Sequence, residues 1–375
     1  MHILLAPDSF KESLSAKQVA EALKKGFQEA LPDATFDLLP IGDGGEGTMD
    51  TLAGVLNLTK KHTQVTGPFG KPVSMAYYRK DEMAFFEMAS LVGLGSIPAE
   101  KRNPLELETR GIGELILQLV DQGVKTICVG IGGSATNDGG IGMAAGLGVA
   151  FYDDQGHLLR PVGASLDRVA RIDTSAVPNT LKDIKLQVLT DVTNPLCGSQ
   201  GATYIFGGQK GLNSLLFPAV DQAMEDFYQL VDPRILSMAG AGAGGGMAAG
   251  LVAFAGGQIS SGIEKSLDLI DFDRKVQKAD LVVVGEGRMD LQSLSGKAPV
   301  GVAKRTPDKI PVLAICGSLA DDLPAFPSHH IEAAFSIVPG PCKVADALTH
   351  AEKNLISCAR NIGNLLKMKA NKRTN

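Results

Sequence analysis

The sequence predicts an α/β protein with a Rossmann-like parallel-sheet domain formed by both termini and a second, mixed α/β domain inserted between them. Short apolar runs alternate with helical patterns along the chain, as in parallel sheets whose strands are joined by helices. The runs Leu281–Val284 and Val312–Cys316 are wholly apolar, which is typical of strands buried on both faces. With 375 residues, the chain is long enough for about two domains.

The first 70 residues predict a strand, a helix, a strand and a helix in turn. Ser15 and Gln18 match a capping box, and the apolar residues after them recur on one helix face until Pro32 ends the pattern. The predicted elements are a strand at Ile3–Pro7, a helix opened by Ser15, a strand at Phe36–Ile41 and a helix at Gly47–Leu56. The Gly- and Pro-rich turn at residues 67–72 then favours a domain boundary.

The middle of the chain has a different pattern, because it contains hairpin signals as well as helices. One antiparallel hairpin is predicted from Val73–Arg79 and Met83–Met88, and a second from Val149–Tyr152 and Leu158–Leu159. Further elements are predicted as helices at Leu105–Asp121 and Ser214–Val231, and as strands at Thr126–Val129 and Lys185–Thr190.

The C-terminal part returns to the style of the N-terminal part. It contains the two wholly apolar runs and ends in a long amphipathic helix with apolar residues three and four apart from Val344 to Leu366. We therefore expect one discontinuous domain made of residues 1–70 and 276–375. The inserted domain would comprise residues 71–275, with the active-site cleft between the two.

Composition disfavours several classes of protein. The net charge of −5 and the absence of a Lys/Arg-rich run argue against nucleic-acid partners. The five cysteines form no CxxC pair, and the apolar start Met1–Leu5 has neither the basic region nor the cleavage site of a signal peptide, so we expect a cytoplasmic protein without a secretory signal. The uncharged segment Ala239–Gly257 is mostly Gly and Ala, so we expect it to be buried in the protein and expect no membrane partner.

Glycine is unusually abundant, at 44 residues, or about 12% against roughly 7% in an average protein. One glycine-containing hexapeptide occurs twice, at residues 142–147 and 246–251, each time after a glycine-dense loop. Two interpretations stay open. The small residues could let two helices pack closely, or the two helix N-termini could bind an anion.

Polar and glycine-rich residues directly follow five predicted strands. Because ligands bind beyond the carboxyl ends of the strands in open α/β sheets, these loops are candidate ligand-binding segments. The five loops are Asp8–Lys11, Gly42–Gly47, Gly130–Gly140, Asp191–Pro195 and Gly285–Asp290.

This set of residues suits phosphoryl transfer, which depends mainly on positioning and charge neutralisation. Glycine N–H groups can bind phosphate oxygens, carboxylates can hold Mg²⁺, and one carboxylate can accept a hydroxyl proton. No P-loop motif is present, and none of the six histidines lies in these loops. A formal match to a dinucleotide fingerprint at residues 42–47 leaves an oxidoreductase of a small hydroxy acid as one alternative, and a two-lobed small-ligand-binding protein is another.

Four long motifs together resemble the bacterial glycerate kinase family, which acts in glyoxylate and sugar-acid breakdown. They occur in order, at Ile3–Lys11, Pro40–Thr48, Gly132–Gly140 and Gly285–Lys297. The resemblance implies an ATP-dependent, Mg²⁺-assisted kinase that phosphorylates D-glycerate, with the 2-phosphate favoured over the 3-phosphate as product. It also implies a Rossmann-like domain and a second α/β domain around a cleft.

On these motif positions we assign roles by their chemistry. Asp8 or Asp138 is the candidate base for the glycerate hydroxyl. Lys11 and Arg288 would bind the glycerate carboxylate or neutralise developing charge, since arginine offers a bidentate fork. The other assignments are Asp43, Glu46 and Asp191 for Mg²⁺; Gly132, Gly133, Ser134, Gly244, Gly245 and Lys297 for the nucleotide; and Ser9, Asn137 and Asp290 for the substrate. A homo-oligomer stays an open alternative.

Overall fold

The computed structural model describes residues 1–42, 47–294 and 296–371, in which strands and helices alternate. The strands are β1 His2–Pro7, β2 Thr35–Leu38, β3 Thr59–Thr66, β4 Pro72–Lys80, β5 Met83–Glu87, β6 Thr126–Gly130, β7 Ala150–Tyr152, β8 Arg171–Asp173, β9 Lys185–Leu189, β10 Gln258–Ser260, β11 Leu281–Gly285, β12 Arg288–Met289, β13 Val312–Cys316, β14 Ser318–Leu319 and β15 Ala333–Ser336.

The α-helices are of very different lengths, from four to 21 residues, and short 3₁₀ turns lie between some of them. They are α1 Ala16–Ala30, α2 Thr48–Leu56, α3 Ala89–Val92, α4 Arg110–Asp121, α5 Ile141–Gly146, α6 Ala202–Phe206, α7 Phe217–Val231, α8 Met247–Ala255, α9 Gly262–Leu269, α10 Phe272–Val276, α11 Leu291–Leu294, α12 Ala298–Arg305, α13 Val344–Thr349 and α14 Ala351–Asn371.

The chain divides into two compact units. Unit 1 comprises residues 1–43, 50–56 and 263–375, and unit 2 comprises residues 44–49 and 57–262. The turn at residues 67–72 lies inside unit 2, because it connects β3 to β4 and every residue of β3 pairs with β4. The sequence instead predicted domain boundaries after residues 70 and 275. Those boundaries stay a prediction, because the two compact units are defined by contacts and not as separate domains.

Unit 1 is built on a five-stranded parallel sheet in the order β15-β13-β11-β1-β2. Every residue of β11 is buried, as its apolar run predicts for a central strand covered on both faces. Helices α1 and α14 pack on this sheet with a shared apolar core that includes Val19, Phe27, Leu355 and Ile362. The predicted α/β architecture with a parallel sheet formed from both ends of the chain is thus confirmed.

Unit 2 is built on a six-stranded mixed sheet in the order β10-β9-β6-β5-β4-β3. Strands β5, β6, β9 and β10 are parallel, whereas β3, β4 and β5 form an antiparallel meander at one side. The predicted hairpin of β4 and β5 is therefore confirmed. The parallel strands all end at one edge of the sheet, where the loops after β6 and β9 begin.

Several boundaries differ from the sequence-based expectation. The predicted capping box is present, with Ser15 accepting from the Gln18 amide. The hairpin predicted from Val149–Tyr152 and Leu158–Leu159 is present in a short form, as an antiparallel bridge between Tyr152 and Leu158 with the Leu159 amide donating to the Phe151 carbonyl at 2.8 Å. The sequence did not predict that β7 also pairs with β8. Helix α4 begins at Arg110, five residues later than predicted, because Leu105 and its neighbours form turns.

The repeated hexapeptide forms the starts of two helices that pack against each other, α5 and α8. Gly140 and Gly250 come so close that a Cβ built on Gly140 would lie 2.8 Å from the Gly250 Cα. The first amides of both helices donate to protein acceptors, for example Ala248 N–H to the Ala243 carbonyl. These contacts support the packing interpretation of the repeat.

The segment from Ala239 to Gly257 consists of turns followed by the nine-residue helix α8. Within the parts of the chain that the structure describes, no helix combines the length and the apolar character needed to cross a bilayer.

Close approach of α1 and α14 yields a stability prediction. A Cβ on Gly26 would overlap the Ile356 carbonyl oxygen and lie 2.7 Å from the Ala359 Cβ. We expect Gly26→Ala to lower the free energy of unfolding by about 1–3 kcal/mol through overpacking, although alanine is the better helix former. Urea denaturation would measure this change.

Gly54→Ala is the matched control, since Gly54 also lies in a unit 1 helix, but no neighbouring atom of the described residues lies within 4 Å of its Cβ position. Here we expect no loss, or a gain of up to about 1 kcal/mol from helix propensity. Equal effects of the two substitutions would contradict the proposed packing constraint.

Candidate functional site

In unit 1, the loops after β1 and β11 lie side by side at the carboxyl edge of the parallel sheet. The Asp8 amide donates to the Gly285 carbonyl at 2.8 Å, and a Cβ built on Gly287 would lie 3.3 Å from the backbone nitrogen of Lys11. The structure thus brings the predicted residues Asp8, Ser9 and Lys11 next to the loop that leads into Arg288. This proximity follows from the direct pairing of β1 with β11.

Asp8 and Ser9 are half-buried, whereas Lys11 and Arg288 are exposed. One Asp8 carboxylate oxygen accepts from the Ser9 amide at 2.6 Å, which fixes the orientation of the side chain. The Arg288 backbone pairs with Ser318 in the short sheet of β12 and β14, so the base of this side chain is held on regular structure. This part of unit 1 offers a carboxylate and two cations at one sheet edge.

Asp290 and Lys297 flank the short helix α11. Asp290 caps it by accepting from the amides of Gln292 and Ser293 at 2.9 and 3.1 Å. Partial burial opposes ionisation of Asp290, but the Ser293 amide and the positive charge of Lys297 hold the pKa of this carboxyl below its ordinary value. Lys297 donates to the Gln292 side chain at 3.4 Å. Both residues therefore have partners within this short segment. Their contacts with substrate and nucleotide stay predictions.

In unit 2, a cavity of about 120 Å³ lies beyond the carboxyl ends of β6 and β9. Its lining includes Thr190 and Val192, and it also includes four predicted nucleotide-binding residues, Gly132, Gly133, Ser134 and Gly244. Residues from two separate sequence motifs are therefore brought together at one cavity. Gly245 is packed instead against the Thr136 carbonyl, and its own carbonyl accepts from the Gly139 amide.

Lys210 also lines this cavity, and sequence reasoning missed it. Its side chain is only 3% exposed. The Lys210 Nζ donates to the Ser134 hydroxyl at 3.1 Å and to the Thr136 carbonyl at 2.6 Å. Burial lowers the pKa of Lys210 to about 7, with the negative charge of Asp138 acting in the opposite direction.

Asp138 is fully buried at the N-terminus of α5, 0% exposed. One carboxyl oxygen accepts from the Thr109 hydroxyl at 2.6 Å and the Gly142 amide at 3.4 Å, and the other accepts from the Gly140 amide at 3.1 Å. Burial raises the pKa of Asp138, although these hydrogen bonds and Lys210 oppose the shift. Asp138 therefore ties the glycine-rich loop to α4 and α5.

Asn137, predicted to bind substrate, is also fully buried. Its Nδ2 donates to the Thr203 hydroxyl at 3.0 Å. Its Oδ1 and the neighbouring Thr136 hydroxyl have no hydrogen-bond partner among the residues that the structure describes. Asn137 thus holds the loop against α6 while it keeps one acceptor unused.

The predicted metal ligands are only partly described. Asp43 and Glu46 lie outside the described residues. Asp191 follows β9 between the cavity-lining residues Thr190 and Val192, and it accepts from the Ser261 hydroxyl at 2.6 Å. No group of three metal-binding side chains occurs in residues 1–42, 47–294 and 296–371. Enzymes that act on nucleotides usually hold Mg²⁺ with one or two carboxylates, water and the substrate phosphates. The Asp191 carboxylate therefore fits the role of one such ligand.

The signal for Lys210 in the sequence is weak. It lies in the stretch Gly207-Gly208-Gln209-Lys210-Gly211, where a cation among glycines would ordinarily be a surface lysine. Its position depends on the fold of α6 and the following turns, which carry it beneath the loop after β6.

Burial of Lys210 predicts a pH dependence of stability. Between about pH 7 and 10.5, the unfolded chain binds a proton at Lys210 that the folded protein does not bind. The free energy of unfolding should therefore rise with pH in this window, by up to about 1.4 kcal/mol per pH unit from this group. This contribution is lost as the pH falls to about 7. Urea titrations across the window would measure it.

Lys210→Met should remove that slope, since methionine does not titrate. Lys185→Met is the matched control, because Lys185 is an exposed lysine of the same unit. If the wild type and Lys210→Met have the same dependence on pH, Lys210 is not held with a lowered pKa.

Comparisons with known proteins extend over the whole chain. The profile of the glycerate kinase family matches residues 3–367. Glycerate kinase from Neisseria meningitidis is 57% identical over 98% of this chain and 99% of its own length. Glycerate 2-kinase from Escherichia coli is 42% identical, over 96% of this chain and 97% of its own length.

A solved structure agrees with these sequence comparisons. The crystal structure of a glycerate kinase 2 candidate from Salmonella typhimurium LT2 superposes with a TM-score of 0.86 at 41% identity. The match covers 99% of this chain and 99% of that one. The sequence matches extend over nearly the full length of each relative, the fold agrees with the solved structure, and the chain belongs to the glycerate kinase family.

Proposed function

We propose that this protein transfers the γ-phosphoryl group of ATP to the 2-hydroxyl of D-glycerate. The observation that carries the proposal is the similarity of the whole chain to curated glycerate kinases, among them a glycerate 2-kinase. The glycine-lined cavity of unit 2 and the carboxylate and cations at the sheet edge of unit 1 are suited to phosphate and hydroxy-acid chemistry.

In the proposed mechanism, Asp8 is the general base. Its carboxylate accepts the proton of the 2-hydroxyl while that oxygen bonds to phosphorus, the bond from phosphorus to the β–γ bridging oxygen breaks, and ADP leaves. Asp8 is favoured over Asp138 because its side chain is half-buried and so can be reached by a substrate hydroxyl. Asp138 is fully buried, and both of its oxygens accept hydrogen bonds.

The substrate carboxylate would be bound by Arg288 and Lys11, which are exposed cations of unit 1. A planar guanidinium can bind both carboxylate oxygens at once, which orients the acid as well as attracting it. Ser9 and Asp290 would add hydrogen bonds to the hydroxyl groups. Asn137, with its unused Oδ1, stays a further candidate for the substrate.

The loop residues Gly132, Gly133 and Ser134, together with Gly244, would bind phosphate oxygens through N–H and hydroxyl groups. Asp191, with Asp43 and Glu46, would hold Mg²⁺. The ion would neutralise part of the phosphate charge when bound. Gly245 and Lys297 stay candidates for nucleotide contact. Their present contacts are with the Thr136 carbonyl and the Gln292 side chain.

Phosphorus NMR of the product from ATP and D-glycerate tests activity and regiochemistry together. We expect ADP formation that depends on D-glycerate and Mg²⁺, and a product signal that matches 2-phospho-D-glycerate. A 3-phosphate product would overturn the assigned regiochemistry. Absence of glycerate-dependent ADP would overturn the kinase proposal.

Substitution of the proposed base and carboxylate ligand tests their roles. Asp8→Asn and Arg288→Ala should each lower kcat/KM for D-glycerate by about a hundredfold or more, because each removes a contact made in the transition state. Steady-state kinetics would measure this, with circular dichroism to confirm folding. Asp33→Asn, at an exposed turn of the same unit, should leave kcat/KM unchanged. Activity near that of the wild type in both variants would reject the roles.

A further inference from the structure

The least expected group in unit 2 is the ammonium of Lys210. A buried lysine is costly unless it is paired and hydrogen-bonded, yet both of its partners, the Ser134 hydroxyl and the Thr136 carbonyl, are neutral. Among the described residues, no carboxylate lies within 4 Å of Lys210 Nζ. Asp138 influences Lys210 only through its field.

An ammonium has three N–H donors, and only two of those of Lys210 have acceptors within the described part of the chain. The third N–H donor of Lys210 is therefore available to a ligand, since this side chain lines the cavity together with Gly132, Gly133 and Gly244. An anionic oxygen in this cavity would complete the hydrogen bonding and supply the missing counter-charge.

The size of the cavity limits what it can hold. At about 120 Å³, it is well below the roughly 300–1,000 Å³ of pockets that enclose drug-sized ligands. It can therefore accept one small charged group. Glycine N–H groups around a cation form the kind of concave site that binds phosphate. The described residues that line the cavity include no arginine that could bind a carboxylate through two hydrogen bonds.

We propose that Lys210 is a nucleotide-binding residue, whose Nζ donates to a phosphate oxygen held in the cavity formed by the loops after β6 and β9. This inference rests on the proposed function for the identity of the nucleotide. In this arrangement Ser134 and Thr136 hold the ammonium in place, and the bound phosphate is its third partner.

The first test is equilibrium binding to the full-length protein by calorimetry, with ADP and D-glycerate as separate probes. Lys210→Met should weaken ADP binding by roughly ten- to hundredfold, the usual effect of losing a hydrogen bond between charged groups. Binding of D-glycerate should stay within about twofold. The control Lys185→Met removes an exposed lysine from the same unit and should change neither affinity.

Two outcomes would overturn the proposal, and a third would separate it from the proposed function. Unchanged ADP affinity in Lys210→Met would assign Lys210 a purely structural role. Loss of D-glycerate affinity with ADP affinity retained would assign the cavity to the acid. If the wild type binds ADP and loses that affinity in Lys210→Met but phosphorylates no glycerate, the proposed function fails while the role of Lys210 stands.

A second measurement needs no variant, so it applies even if Lys210→Met does not fold. At about pH 8, the ADP phosphates are fully ionised, since the second phosphate pKa is near 6. Lys210 has a pKa of about 7, since burial lowers the value and the nearby Asp138 opposes this shift. At this pH it is therefore mostly neutral in the free protein. ADP binding should therefore take up close to one proton, seen as a dependence of the binding enthalpy on the buffer. Absence of proton uptake would overturn the proposal.

Discussion

The loop between β6 and α5 is held by two buried ionisable side chains, Asp138 and Lys210, and the arrangement of unit 2 around the cavity depends on them. Asp138 accepts from the Thr109 hydroxyl and two amides at the start of α5. Lys210 donates to Ser134 and to the Thr136 carbonyl in the same loop. The glycines of the loop are thereby fixed before any ligand arrives, which is the preorganisation that charge stabilisation in catalysis requires.

The burial of these two groups has opposite effects on their titration. Desolvation raises the pKa of Asp138 and lowers that of Lys210, since in each case it disfavours the charged form. The attraction between the two opposite charges shifts both pKa values back in part. A cation that is held buried beside a cavity and lacks a close carboxylate is suited to an anionic ligand. In unit 1 the arrangement differs, because Asp8 is half-buried and Lys11 and Arg288 are exposed.

Glycine has two separate uses in this chain. In the repeated hexapeptide and at Gly26, the absence of a Cβ lets helices approach closely, as the contacts of Gly140 with Gly250 demonstrate. At Gly132, Gly133 and Gly244 it leaves backbone beside a cavity. Both uses have the same appearance in the sequence, so the high glycine content alone could not separate packing from ligand binding.

The sequence by itself determined the α/β class, the capping box at Ser15, the buried strands β11 and β13 and the family, because these depend on local periodicity, capping chemistry and long motifs. It also indicated that Asp8 and Gly285 each lie where a predicted strand ends, whereas the pairing of those two strands came from the structure. Only the tertiary structure decided that Lys210 lies under the loop after β6, that Asp138 is fully buried, and that β7 pairs with β8. Burial and pairing between residues far apart in the chain depend on how the elements pack, and local sequence carries no measure of that.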